Sequence, residues 1–258
     1  MISNDLSSGS DTEDRERQTA DALNDELSTA RAEQIYNSLP PISPELKVLL
    51  HGDRKTPDLT VAERQMIVDF AQTEALRLIA EEIVPDTLKF PVDVITVANR
   101  LGVSVKSVPI TEQTPTGHSI AGFIIKDSKH QGATIYVATN KEIAEERVRF
   151  TICHELGHYI TWRREVPPQK WFDYADSDIR SVEEGDTDPI QFCANTFAHK
   201  SLIPDYALAA ELQSGPSIHQ LSNIFGVSET GVCRRMTYLD ITTQTYPEDQ
   251  SSQTSVDR

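Results

Sequence analysis

The sequence predicts an α+β fold: a small antiparallel or mixed sheet packed on one long helix, with additional helices toward the C-terminus. Three observations predict it. Val148, Ile152, Leu156 and Tyr159/Ile160 follow the i, i+4, i+8, i+11/12 spacing of a buried helical face. Three β-rich runs, Val103–Val108, Ala121–Lys126 and Ala133–Val137, lie together in the chain, with a turn region at Gly132 that suggests a hairpin. Beyond Pro189, short helical patterns alternate with Pro and Gly stops as far as Leu239.

The ends of the chain read differently from its middle. Residues 1–55 are expected to form a disordered acidic region and linker, with Pro40, Pro41 and Pro44 marking the linker. Residues 56–206 are assigned to the main domain, 207–241 to a C-terminal helical subdomain and 242–258 to a disordered polar tail. The 258 residues carry a formal charge of −16, from 40 acidic and 24 basic residues, which argues against broad electrostatic binding to DNA or anionic membranes. No apolar run approaches the ~20 residues of a membrane span, and residues 1–20 lack the pattern of a signal peptide. The three cysteines, Cys153, Cys193 and Cys233, are widely spaced without a Cys-x-x-Cys pair, so reduced thiols in a cytoplasmic protein are expected.

Taken in order, the first folded element is expected near Thr60. Thr60 and Glu63 form a capping-box pattern, and Ile67, Phe70, Ala71, Leu76, Ile79 and Ile83 supply an apolar face ended by Pro85. A short helix follows Pro91, with Val92, Ile95, Val97, Ala98 and Leu101 facing inward and Gly102 closing it. The strands come next, separated by the Thr111–Ile120 loop. The long helix is expected from about Asn140 to Trp162, then an acidic loop over residues 173–188, then a helix from about Pro189 to Leu202.

The long helix contains His154-Glu155-Leu156-Gly157-His158. Helical residues four apart share a face, so His154 and His158 can aim both imidazoles at one metal ion. Glu155 projects about 100° from His154, within reach of a water on that metal. Zinc held by neutral imidazoles brings the pKa of its water to about 7, and Glu155 would take that proton and pass it to the leaving amine. The residues thus read as a zinc peptidase. Cys153 is adjacent to His154 and diverges from it, so it is not expected to ligate.

Several connected segments resemble the ImmA/IrrE family of zinc metallo-endopeptidases, from about Thr60 to Leu239. Pro91-Val-Asp-Val-Ile-Thr-Val-Ala98 before Leu101-Gly-Val103 is similar to the family's entry helix. Arg149-Phe-Thr-Ile-Cys-His-Glu-Leu-Gly-His158 resembles its metal helix, and Ala194-Asn-Thr-Phe-Ala198 followed by Leu202-Ile-Pro204 resembles its second signature. The resemblance implies a gluzincin-like fold, a zinc cofactor and cleavage of, or antagonism toward, a partner repressor of the helix-turn-helix type. It also implies a third zinc ligand, usually Glu, three residues before the Ala of Ala-Asn. Here that position is Gln191, a neutral and poorer donor. Gln191 as a weak ligand, Asp188 as a substitute one turn earlier, and loss of an intact site stand as alternatives. Asn195 is a candidate to orient one of the histidines, as metal-bound imidazoles donate their other N–H, and His199 lies a turn beyond it. His118, Tyr136 and Tyr174 are candidates to stabilise an oxyanion. Residues 121–126 could pair with an extended substrate at the sheet edge.

Two other readings compete. Ser217 to Met236 has the pattern of a helix-turn-helix, with a Ser217/Gln220 capping box, Gly226 at the turn, and Arg234 and Arg235 available to DNA. The acidic balance makes direct DNA binding the weaker reading. The other is a pseudo-protease that sequesters a repressor or toxin partner, for which Gln191 is the main support.

Overall fold

The computed structural model describes residues 34, 39–82, 89–111, 120–127, 132–139, 143–165 and 188–239. Helix α1 (Pro44–His51) opens with Ser43 Oγ accepting from Leu46 N and Pro44 in the first turn. Leu46 and Leu50 are buried in the main core, together with Ile42. The expected linker therefore ends before Ile42. Pro44 starts a helix because its missing N–H falls where no intrahelical partner exists.

Helix α2 (Val61–Glu82) begins at the expected capping box: Thr60 N donates to Glu63 Oε2 at 2.7 Å and Glu63 N to Thr60 Oγ1 at 3.2 Å. Its buried stripe is Ile67, Ala71, Ala75, Leu78 and Ile79, whereas Leu76 is exposed. Glu74 is buried on this helix against Arg164 at 2.9 Å. A charged residue on the inner face is what displaced the simple apolar reading. Asp93 caps α3 (Val94–Arg100) by accepting from Ile95 N and Thr96 N, and Ile95 is exposed rather than core.

Strands β1 (Val103–Val108), β2 (Gly122–Asp127) and β3 (Gly132–Ala138) form a mixed sheet of order β1-β3-β2. β1 runs parallel to β3, with Val105 opposite Ile135, and β2 runs antiparallel to it, with Ile124 opposite the same Ile135. That row is apolar, and Ile124 and Ile135 are buried. β2 and β3 pack on helix α4 (Glu145–Glu165). The approach is close: a Cβ on Gly122 would lie 2.6 Å from Thr151 Cγ2.

Helix α5 (Pro189–Leu202) packs on α4 and on α2, and so forms the middle of a three-helix layer. Short helices α6 (Asp205–Leu212), α7 (Ile218–Phe225) and α8 (Glu229–Tyr238) complete the described fold. Gly226 separates α7 from α8 at φ +60°, and a Cβ there would meet Pro91 Cβ at 2.7 Å. Among the described residues no helix is long and apolar enough to cross a membrane.

Candidate metal and catalytic site

The site lies on the seam between α4 and α5. The two helices come together because the residues between their polar groups are small. A Cβ on Gly157 would sit 3.1 Å from both Ala194 Cα and Phe197 Cδ1. Gly157 separates Leu156 from His158, so the residue that admits α5 also lies within the five-residue motif. Ile152, Leu156 and Ile160 are almost wholly buried, each stabilising the helix's seat by about 1.5–3 kcal/mol.

Burial here goes further than an amphipathic helix requires. His154 is 0 % exposed and Glu155 1 %, so this polar face lies inside the protein, with His158 half-buried. His154 Nδ1 is 2.8 Å from Asn195 Oδ1. With that oxygen as acceptor, Nδ1 carries the proton and Nε2 presents its lone pair. Nε2 of His154 lies 3.0 Å from Nε2 of His158, and the rings stand edge to face at 81°. Two nitrogens on a tetrahedral zinc at 2.0–2.1 Å are roughly 3.3 Å apart, so this pair needs little movement to share one ion.

Burial disfavours the ionised form of Glu155 and pushes its pKa up to about 8. Its Oε1 is buried without a hydrogen-bond partner. Such an orphan is unusual in native proteins and marks a place where a water or a cation would satisfy it. The donor set therefore fits a zinc ion at two of its positions.

The third position is different. Among the described residues, no three His, Cys, Asp or Glu side chains gather as a metal cluster. Asp188 is the N-cap of α5, its Oδ1 accepting from Ile190 N at 3.1 Å, and does not form such a cluster with the two histidines. Gln191 is half-buried on α5, one turn before Asn195. Contacts between the helices pair Gly157 with Ala194, His154 with Asn195 and Phe150 with His199, so the helices run antiparallel. That register sets Gln191 level with the turn of α4 that begins at His158.

Three neighbours were not legible as site residues. Phe150 packs against His199 at 4.9 Å and against His154 at 6.3 Å between ring centroids, walling the start of the seam. Arg149 donates from Nε to Gly226 O and from Nη2 to Val92 O, tying α4 to α7 and to the segment before α3. Thr161 Oγ1 donates to Gly157 O at 2.8 Å. The Arg149 contacts join residues 57 and 77 positions apart, a separation that no local pattern signals.

Of the oxyanion candidates, Tyr136 stacks on Phe123 at 5.1 Å on the sheet, while His118 and Tyr174 lie outside the described residues. Cys153 and Cys193 are buried and pushed up to about 12 by that burial, which keeps them as thiols. Arg235 is a correction. It is 1 % exposed, pairs with Asp205 and donates from Nε to Ile203 O, so it is a core residue and offers nothing to DNA. The spacing that suggested a groove-facing arginine also suits one buried under α6.

Residues 116–237 match the Peptidase_M78 family model, described as the IrrE N-terminal-like domain. No curated protein matches the chain. The match begins after β1, so α1 to α3 lie ahead of it, and it takes in α4, α5 and nearly all of α8.

Proposed function

We propose, from the premise that the chain carries an IrrE N-terminal-like domain of a metallopeptidase family, that it is a zinc-dependent endopeptidase. The observation that carries this reading is the His154–His158 pair, with Nε2 atoms 3.0 Å apart and Asn195 fixing one tautomer. His154 and His158 would hold the zinc, with Gln191 as the third, neutral donor. When bound, the ion polarises the scissile carbonyl and lowers the pKa of water.

The chain's own residues do the rest. Glu155 accepts the proton as the water oxygen bonds to the carbonyl carbon, then returns it to the amide nitrogen as the C–N bond breaks. Asn195 holds His154 so that its lone pair, rather than its N–H, faces the site. β2 is an edge strand in the order β1-β3-β2 and packs on α4, so its outer edge, unpaired among the described residues, is a place for an extended peptide to pair. The helix-turn-helix-like pair α7 and α8 is tied through Gly226 to Arg149, one turn from the motif, and would dock rather than read DNA. The proposed substrate is a small helix-turn-helix repressor, and the proposed location is the cytoplasm.

A second reading has one specific observation behind it. With Gln191 in place of a carboxylate, and no cluster of three His, Cys, Asp or Glu among the described residues, two histidines and Gln191 would leave the ion's charge uncompensated. Sequestration of a repressor or toxin without turnover would tolerate that. Elemental analysis of protein purified without chelator separates the two. About one zinc per chain, with repressor cleavage abolished in Glu155→Gln, is expected for the peptidase. Zinc-free protein that binds its partner equally well as Glu155→Gln would establish sequestration instead.

A further inference from the structure

Beside the seam, α5 carries a second constellation, with His199 bordering both. A cavity of about 360 Å³ lies between α2, α5 and α8, with Arg64, Lys200 and Arg235 among its walls. Val61, Val68 and Phe192 supply an apolar side. In a chain of formal charge −16, three cations round one cavity need an explanation.

Lys200 Nζ reaches Asp205 Oδ2 at 2.9 Å and Gln72 Oε1 at 2.7 Å, while Arg235 pairs with the same Asp205. One carboxylate thus serves two bases. Asp69 acts on Lys200 through space only, and its Oδ1 already accepts from Gln65 Nε2 at 2.8 Å. Burial, with the nearby Arg235, pushes Lys200 down to about 8. Arg64 stands half-buried at the wall, its guanidinium without a partner among the described residues.

We propose that this cavity binds a small organic oxyanion, a phosphate monoester or carboxylate on an apolar body. Arg64 and Lys200 take the anionic head, Gln72 and Thr196 offer polar contacts beside it, and Val68 and Phe192 cover the body. Guanidinium and ammonium donors suit both oxyanions, and the volume admits a ring-sized group. Thr196 follows Asn195 on α5, so the occupant would rest on the helix that orients His154.

The test is calorimetric titration of the full chain with phenyl phosphate and with benzoate, and with phenol as the uncharged control. Saturable binding of either anion but not of phenol is expected. Arg64→Ala should weaken it roughly tenfold or more, as for loss of a charge-assisted contact, with an unchanged melting temperature, and Arg64→Lys should restore part of it. His158→Ala should leave it unaltered, since that imidazole belongs to the other side of α5. No saturable binding of either anion overturns the proposal. So does binding that survives Arg64→Ala but is lost in His158→Ala, because the anion would then sit at the histidine pair.

Discussion

The two long faces of α5 are built on opposite principles. Toward α4, small residues bring the backbones together: a Cβ on Gly157 would lie 3.1 Å from Ala194 Cα, and the polar groups admitted there include Asn195 and His154, 2.8 Å apart. Toward α2, Phe192, Thr196 and Lys200 border a cavity of about 360 Å³ that Arg64 and Arg235 also line. The tight face fixes imidazole geometry to within fractions of an ångström, since close-packed atoms have nowhere else to go. The open face keeps room for a guest. One helix can serve both because its sequence alternates small and long residues at helical spacing.

The sharpest way to break the tight face is to remove its proton carrier. Glu155→Gln keeps the volume and buries a neutral group, so the fold should survive while peptide hydrolysis falls by about 10²–10⁴-fold, read by turnover beside a thermal melt. Asn195→Ala should release His154 to the wrong tautomer and cost roughly 10–100-fold in zinc affinity, measured by competition with a chelating dye. If affinity is unchanged, Asn195 is not orienting the ring. Gln191→Glu is expected to raise zinc affinity on the order of tenfold, and the same dye assay would show no gain if Gln191 lies away from the ion.

Smaller effects sharpen the contrast. Gly157→Ala should destabilise the protein by about 1–3 kcal/mol through crowding at Ala194 and Phe197, offset in part by the ~1 kcal/mol helix preference of alanine. A net gain in melting temperature would mean that the seam can open at little cost. The smallest effect is at the start of α2. The Arg54 guanidinium and the Thr60 cap hold Glu63 down to about 2. A carboxylate lowered in this way adds stability above the ordinary carboxylate range and loses it as pH falls toward 2. Glu63→Gln should therefore melt slightly lower than the parent at pH 7, and the two curves should converge as pH approaches 2.

Local rules account for the parts that were legible in advance. The Thr60 and Ser217 capping boxes and the turn glycine Gly226 stand where spacing placed them, because each is closed by residues three or four apart. The helix carrying Pro189–Leu202 also matches its expected span. What went astray depended on distant partners. Ile42, Leu46 and Leu50 read as part of a tail because their acidic, Pro-rich surroundings hide the core they join, and Ile42 N bonds to Arg164 O far along the chain. Arg235 read as exposed because nothing near it in sequence announces Asp205 or Ile203 as its partners.

By itself the sequence determined the helix that carries His154, Glu155 and His158 and the strands in their order along the chain. Those follow from backbone periodicity. Only the tertiary structure decided the mixed pairing of β1 with β3, the depth at which Glu155 is buried, and Asn195 as the partner of His154. It also decided that three cations from three separate helices share one cavity. These are properties of packing between segments far apart in the chain, and hydrogen bonds and burial at such separations leave no period in the sequence to read.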